Sequence, residues 1–164
     1  MKIVFLDVDG PMIPHRAYML PYNHGGRVSL FDPIAVNMVK RLLALAPAKL
    51  VISSTWRGMG RDNIMHLLGM NGFRADCLHD DWATTPRNTS LPREEEIRQW
   101  LDRHPETTHY AALDDEDLGD LPGAVVCTFE DGLQMEHYKL AGRLLDIDEK
   151  TLHLGKLNAR DQAA

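Results

Sequence analysis

The sequence has few cysteines, no long apolar run and no excess of positive charge. Its two cysteines, Cys77 and Cys127, are far apart, unlike the closely spaced cysteines of a metal site, so we expect a reducing compartment. No apolar run approaches about 18 residues, which excludes a conventional transmembrane helix. The N-terminus also lacks the features of a secretory signal peptide. These absences predict a soluble, cytoplasmic protein with no membrane association.

Acidic residues outnumber basic residues 24 to 18 among the 164 residues, and the formal net charge is -6. This balance argues against a protein that coats nucleic acid through bulk charge, although it leaves room for a local basic patch. At 44% hydrophobic and 26% charged residues, the composition is typical of a globular chain. We expect one domain over residues 1–150, with a flap at about residues 11–30 and a loosely attached tail at residues 151–164.

Short apolar runs alternate with amphipathic segments along the chain. The apolar runs predict four strands: KIVFLDV, AKLVISS, HYAALDD and GAVVCTF. The other segments predict four helices: DPIAVNMVKRLLALA, RDNIMHLLGMNG, PREEEIRQWLDRH and GLQMEHYKLAGRLLDI. Residues 58–92 are expected to hold one of these helices and an ordinary connection. The alternation favours an α/β fold with a mostly parallel central sheet flanked by helices.

Polar side chains follow three of the predicted strands, where reactive residues gather in parallel sheets. They are Asp7 and Asp9, Ser53 and Ser54, and Asp114 and Asp115. Residues two apart on a strand face the same way, and two like charges about 4 Å apart repel by roughly 4 kcal/mol at an effective dielectric near 20. We therefore expect a hard divalent cation, Mg²⁺, to share these carboxylates with a substrate phosphate.

These residue types are suited to phosphoryl transfer. A carboxylate can attack phosphorus and form an aspartyl-phosphate, while a second carboxylate protonates the leaving oxygen and later activates water. A hydroxyl can hydrogen-bond the transferring group, and Ser53 is the candidate, with Ser54 as its rival. Arg93, near the start of the helix before the third predicted strand, is the candidate for a cation that offsets phosphoryl charge.

The motifs, taken in order, resemble those of the haloacid dehalogenase (HAD) superfamily, which consists mostly of phosphatases on a Rossmann-like sheet. FLDVDG, LVISS, Arg93 and ALDDED look like its four motifs. SSTWR, TTPR, REEEIRQWL and the late DGL are similar to the small HAD family of Swiss Army Knife RNA-repair proteins. That family is related to the phosphatase half of polynucleotide kinase-phosphatases. The resemblance covers most of residues 1–145.

The resemblance implies a role for each matching residue. Asp7 corresponds to the nucleophile and Asp9 to the general acid/base. Ser53 matches the hydroxyl of the second motif. Arg93 matches the cation of the third motif, a position that Arg87 could fill instead.

The resemblance also implies the ligands of a Mg²⁺ cofactor. Asp114 and Asp115 match the acidic pair that holds the ion, and Asp7 and the backbone carbonyl of Asp9 complete the protein ligands. The later pair could instead be a solvated acidic loop, but the apolar strand before it favours at least one ligand.

Several neighbouring residues have a functional and a structural interpretation. Arg57 and Arg87 are further candidates for contact with substrate, although Arg57 could simply pack beside Trp56. Glu94–Glu96 are expected to form a charged, solvated helix start, and Trp100 is expected in the core. The eight histidines lack a paired ligand spacing, so none is assigned a metal.

The connection between the first motif and the next helix has room for a flap at most, not for a folded cap domain. An open site suits a phosphorylated nucleic-acid end better than a small metabolite that needs enclosure. Cations and aromatics of the flap could stack on a base and hold a phosphate, or could cover the sheet edge instead. They are His15, Arg16, Tyr18, Tyr22, His24 and Arg27.

The prediction is thus a HAD-type phosphatase, a Mg²⁺-dependent phosphomonoester hydrolase that acts on a nucleotide or polynucleotide end. A small-metabolite phosphatase and a non-catalytic metal- or phosphate-binding module remain alternatives. A receiver-type signalling domain is disfavoured, because the middle strand, where its acceptor aspartate lies, ends here in serines. The sequence does not predict an oligomeric state.

Overall fold

The structure, a computed structural model, describes residues 1–21, 23, 30–85 and 89–152. These residues form five strands: β1 (Lys2–Leu6), β2 (Lys49–Ile52), β3 (Leu78–Ala83), β4 (His109–Asp114) and β5 (Ala124–Val126). They also form five α-helices: α1 (Pro33–Leu45), α2 (Arg61–Met70), α3 (Arg93–Arg103), α4 (Met135–Leu144) and α5 (Glu149–Leu152). The strands make one parallel sheet in the order β3-β2-β1-β4-β5. This architecture confirms the predicted α/β, Rossmann-like fold class.

The central strand β1 is apolar because both of its faces are covered. Val4 and Leu6 belong to the larger core, which includes buried residues of α1, α2 and α4. Ile3 and Phe5 point to the opposite face, where they join a second core with Trp100 of α3. Trp100 is fully buried, as predicted, and its ring meets Phe5 edge-on at a centroid distance of 5.2 Å. Strands buried on both faces give continuous apolar runs rather than alternation.

Helix α1 begins at Pro33, within the predicted segment DPIAVNMVKRLLALA. The side chain of Asp32 accepts a hydrogen bond from the backbone N–H of Ile34, and Pro33 occupies the first helical position. An aspartate cap satisfies an otherwise unpaired backbone donor, and proline has no N–H to lose there. The cap thus marks the start of α1, directly after the region of the predicted flap.

Strand β3 is a correction to the predicted fold. Its sequence, LHDDWA, lies at the edge of the sheet, and only Leu78 and Ala83 are buried, while Asp80 and Asp81 are exposed. An edge strand can keep polar side chains that a central strand excludes, so it lacks the apolar run used to predict the others. Residues 58–92 therefore contain α2 and β3 rather than one helix and a connection.

The tail and the flap are described only in part. Leu152 is buried in α5 against Gly142, whereas residues 153–164 lie outside the described residues, so the loose attachment of the tail stays a prediction. Within the predicted flap, His15–Met19 form a short 3-10 helix. Tyr22, His24 and Arg27 lie outside the described residues. No helix in the described part of the chain has both the length and the apolar character needed to cross a membrane.

Candidate active site

The predicted polar residues lie together at the carboxyl ends of β1, β2 and β4. Asp7 directly follows β1, and its backbone N–H donates to the carbonyl of Leu113 at 2.9 Å. Ser53 directly follows β2, and its N–H donates to the carbonyl of Leu6 at 3.1 Å. Asp114 is the last residue of β4. The hydrogen bonds of the sheet thus continue one residue past β1 and β2 and hold these positions in register.

Three carboxylates form a close cluster at this edge. One oxygen each of Asp7, Asp114 and Asp115 lies within 4.8 Å of the others. Asp7 and Asp114 are buried, and Asp115 is half-buried. Burial, followed by the charge of Asp7, raises the pKa of Asp114 to about 7 and the pKa of Asp115 to about 6. The cluster is therefore unfavourable in its fully ionised form unless a cation shares it.

The backbone at Gly10 allows the cluster to form. Gly10 has φ +72°, a conformation that side chains disfavour, and a Cβ there would lie 2.5 Å from Cγ of Asp115. Any other residue would therefore displace Asp115 from its position beside Asp7.

Arg93 supplies a fixed cation to the cluster. It is the first residue of α3, and its Nη1 lies 3.3 Å from Oδ1 of Asp7 and 3.3 Å from Oδ2 of Asp114. Burial lowers the pKa of Arg93, but the two neighbouring carboxylates outweigh this effect and raise the pKa overall. The structure thus brings Arg93 to the acidic residues, whereas its rival Arg87 lies outside the described residues.

The donor set fits Mg²⁺. All three clustered ligand atoms are carboxylate oxygens, and Mg²⁺ prefers hard oxygen donors supplemented by water and phosphate. Arg93 offsets one of the three negative charges, which leaves two for a divalent cation. Asp7, Asp114 and Asp115 would hold the ion. The backbone carbonyl of Asp9, predicted as a further ligand, stays a prediction.

The raised pKa values predict an unusual dependence of stability on pH and Mg²⁺. Since Asp114 and Asp115 bind protons more readily when folded, the metal-free protein should lose unfolding free energy as pH rises from about 4 to about 7. Saturating Mg²⁺ should raise the free energy of unfolding again. The increase should be larger at pH 7.5 than at pH 5. Urea unfolding in EDTA and in Mg²⁺ at both pH values measures this. Asp114→Asn should flatten the pH dependence, and an equal effect of Mg²⁺ at both pH values would contradict the prediction.

Asp9 is held apart from the cluster by Trp56, a contact that the sequence does not predict. The indole Nε1–H of Trp56 donates to Oδ2 of Asp9 at 2.8 Å. Burial raises the pKa of Asp9, the Trp56 hydrogen bond opposes that rise, and the charge of Asp7 adds to it. A half-buried carboxyl with a raised pKa is suited to carry a proton. The only sequence signal is that Trp56 closely follows the two serines.

The two serines differ in their hydrogen bonding. Ser54 Oγ accepts a hydrogen bond from the backbone N–H of Trp56 at 3.4 Å and caps the 3-10 helix Thr55–Met59. Ser53 Oγ is buried and has no hydrogen-bond partner among the described residues. Buried hydroxyls are usually paired, and a phosphoryl oxygen would satisfy this one. The geometry therefore favours Ser53 over Ser54 as the phosphate-binding hydroxyl.

Comparison with known proteins identifies the family. The model of the HAD domain in Swiss Army Knife RNA repair proteins matches residues 3–138. The chain belongs to this family. Membership indicates a hydrolase of the phosphatase type, and HAD proteins generally use Mg²⁺. No curated protein and no solved structure matches the chain.

In this HAD domain, Arg57 lies beneath the site rather than in it. Its side chain is 3% exposed, and its Nη1 donates to the backbone carbonyls of Ser53 at 2.8 Å and Ser54 at 3.0 Å. Its Nη2 donates to Oε1 of Glu96 at 2.7 Å. Both terminal nitrogens are thus used inside the protein, and the geometry does not support the predicted contact with substrate. Arg57 instead holds the backbone that carries Ser53.

Glu96 corrects the prediction that the start of α3 is solvated. It is 2% exposed, and besides Arg57 it accepts hydrogen bonds from the hydroxyls of Thr84 at 3.1 Å and Thr89 at 2.6 Å. Glu96 lies four residues before Trp100 and therefore on the same, buried face of the helix. Glu94 lies three residues before the buried Ile97, so spacing alone does not single out Glu96. Its hydrogen bonds to Arg57, Thr84 and Thr89 do.

Two described flap residues of the HAD domain, His15 and Arg16, contact the protein itself. The ring of His15 meets Phe129 at a centroid distance of 4.8 Å, and its Nδ1 lies 2.5 Å from Oε2 of Glu130. Arg16 pairs with Asp32. For these two residues the geometry favours the covering role over contact with a nucleic acid, while Tyr18 is 42% exposed.

Proposed function

We propose that this HAD domain, taken as residues 1–150, is a Mg²⁺-dependent phosphomonoester hydrolase that acts through an aspartyl-phosphate. The observation that carries the proposal is the arrangement around Asp7. Arg93 and Asp114 lie beside it, and a separate carboxyl, Asp9, accepts a hydrogen bond from Trp56. The buried hydroxyl of Ser53, which follows the neighbouring strand, has no partner in the described part of the chain. These are a nucleophile, charge stabilisers and an acid/base in one place.

In the first step, a carboxylate oxygen of Asp7 attacks the phosphorus and the bond to the leaving oxygen breaks. Asp9 gives its proton to that oxygen, which leaves as an alcohol. In the second step, Asp9 takes a proton from water as the water oxygen attacks the phosphorus. The bond to Asp7 then breaks, which releases inorganic phosphate and restores both carboxyl groups.

The remaining groups stabilise charge in both steps. The Ser53 hydroxyl donates to a phosphoryl oxygen, and Arg93 balances negative charge near Asp7. When bound by Asp7, Asp114 and Asp115, Mg²⁺ supplies the positive charge that offsets the phosphoryl oxygens. Arg57 maintains the backbone position of Ser53 from below.

The proposed substrate is the terminal phosphate of a nucleotide or polynucleotide. The family is that of the HAD domain in RNA repair proteins. The described flap residues form a short 3-10 helix that packs on the body of the protein. The described flap residues do not form a folded cap domain, an arrangement that suits a phosphate at the end of a long chain.

The test is phosphate release by the wild-type protein from an aryl phosphate, from 3′- and 5′-phosphorylated oligonucleotides and from a metabolite panel. We expect release that depends on Mg²⁺, is abolished by EDTA, and has its highest kcat/KM on an oligonucleotide. Rapid hydrolysis of metabolites with intact oligonucleotides would instead support the small-metabolite phosphatase. Absence of release from every substrate would support the non-catalytic module.

Trp56→Phe should lower kcat about 10- to 100-fold, because it removes a hydrogen bond to a charged group that orients Asp9. The loss of that donor should also raise the pKa of Asp9 and move the corresponding limb of the kcat–pH profile to higher pH. Trp82→Phe is the matched control, since Trp82 is half-buried and packs on the hydrophobic core. An unchanged pH profile in Trp56→Phe would argue against this role.

A further inference from the structure

A second group of metal-ligating side chains lies away from the acidic site. One ligand atom each of His79, His104 and Glu106 lies within 4.8 Å of the others. His79 is near the amino end of β3, and His104 and Glu106 precede the amino end of β4. The proposed active site lies at the carboxyl ends of the strands. The two groups therefore lie at opposite ends of the strands.

The ring of His104 is fixed in an orientation suited to a metal. Its Nδ1 lies 2.9 Å from the backbone carbonyl of Trp100, and it stacks on the Trp100 ring at 3.8 Å with an interplanar angle of 15°. A histidine that donates through Nδ1 to a carbonyl keeps the lone pair on Nε2, as metal-bound histidines commonly do. The stacking prevents the ring from turning away.

The nearest carboxylate to this lone pair is at a distance typical of a shared ion. Nε2 of His104 lies 3.6 Å from Oδ2 of Asp81, which is too long for a hydrogen bond. Two ligands of one tetrahedral zinc ion, each about 2.0–2.2 Å from the metal, are roughly 3.3–3.6 Å apart. The distance to His104 alone is thus compatible with a shared ion, but Asp81 is not among the residues whose ligand atoms all lie within 4.8 Å of one another. Arg103 also lies 3.6 Å from the same oxygen, so Asp81 is not assigned as a ligand.

His79 can present its own free nitrogen. Its Nδ1 lies 3.3 Å from the backbone carbonyl of Asp81 and 3.0 Å from the backbone N–H of the same residue. With the proton on Nδ1, the ring donates to the carbonyl and Nε2 is free to bind a metal. Metal binding therefore replaces the hydrogen bond from the Asp81 N–H to Nδ1 with one from Nδ1–H to the Asp81 carbonyl. His79 also meets the rings of Trp100 and His104 edge-on, each at 5.2 Å, which holds it beside them.

We propose that His79, His104 and Glu106 bind a zinc ion that fastens the edge strand β3 to the end of α3. Two imidazoles with a carboxylate suit Zn²⁺, whereas Mg²⁺ prefers oxygen ligands alone. The side chain of Glu106 is exposed and free to move onto the ion. This site lies at the amino ends of the strands, away from the acidic site. It is therefore independent of the proposed phosphatase activity, and its role is structural.

The test is calorimetric titration of Zn²⁺ into the untagged full chain, stripped with EDTA, dialysed and kept in excess Mg²⁺ to occupy the acidic site. We expect one equivalent of Zn²⁺ to bind. At a zinc concentration near 100 times Kd, Tm should rise by about 5 °C or more. Co²⁺ in place of Zn²⁺ should give the visible absorption of a tetrahedral ion. Neither measurement requires enzymatic activity.

Variants distinguish this site from others. His79→Gln and Glu106→Gln should each weaken zinc binding at least about 10-fold. His66→Gln, at an exposed histidine of α2, and Asp115→Asn, in the acidic site, should leave it unchanged. The Glu106 variant changes an exposed side chain, so its result does not depend on folding. Absence of zinc binding, or binding lost in Asp115→Asn but retained in His79→Gln and Glu106→Gln, would overturn the proposal.

Discussion

Replacing Asp7 with Asn should lower kcat for phosphate release at least about 1,000-fold, because the amide cannot form the aspartyl-phosphate. The same change should leave the fold intact. Asp7 raises the pKa of both Asp114 and Asp115, so its removal relieves repulsion in the metal-free protein. We therefore expect Asp7→Asn to be at least as stable as wild type towards urea in EDTA at neutral pH. Loss of activity together with unchanged or increased stability indicates a chemical role.

The measurement is phosphate release with Mg²⁺ under saturating substrate, combined with urea unfolding of the same samples. Asp102→Asn is the matched control, since it makes the same chemical change at an exposed position of α3. It should retain wild-type kcat. Comparable activity in Asp7→Asn and wild type would show that the nucleophile is another residue and that the proposed mechanism is wrong.

Glu96→Gln should destabilise the protein by about 3–5 kcal/mol, because it leaves the guanidinium of Arg57 buried without its counter-ion. For a domain of this size such a loss lowers Tm by roughly 6–20 °C and is a large part of a total stability of about 5–15 kcal/mol. Activity at permissive temperature should also fall, since Arg57 holds the carbonyls of Ser53 and Ser54. Urea unfolding and the KM and kcat of the folded fraction measure the two effects.

The chain offers an exposed counterpart as the control. Arg74 and Asp76 form an Arg–carboxylate pair at 2.9 Å in which both side chains are largely exposed. Exposed pairs contribute little, so Asp76→Asn should leave the urea midpoint unchanged. The double variant Arg57→Met/Glu96→Gln should be less destabilised than the sum of its single variants. A Glu96→Gln variant as stable as Asp76→Asn would show that the buried pair does not stabilise the fold.

Much of the fold follows from local patterns in the sequence, and the edge strand shows their limit. β1 and β4 are buried and apolar, and α1 has its cap and proline in adjacent positions. β3 is recognisable only from its pairing with β2, because a strand with one neighbour can expose Asp80 and Asp81. Leu152 was similarly unpredictable, since its burial depends on the space above Gly142.

Some residues of the candidate site are predictable from the sequence, and some of its contacts are not. Asp7, Ser53 and Asp114 are predictable because each follows an apolar strand, and parallel strands end at a common edge. The pairing of Trp56 with Asp9 and of Arg57 with Glu96 joins segments far apart in the chain. No periodicity within one segment reports such contacts. The proximity of His79 and His104 is also not predictable, because their spacing in the sequence is unlike that of known metal motifs.

The pairing of β1 with β4 has a consequence during protein synthesis. It unites residues near the start of the chain, such as Asp7, with residues as late as Asp114. At about 5–20 residues per second, a ribosome delivers β4 roughly 5–20 s after β1. Until then, the side of β1 that pairs with β4 is open to pairing with other nascent chains. Translation that stops before Asp114 therefore yields an aggregation-prone fragment, and the acidic cluster comes into existence only when that edge closes.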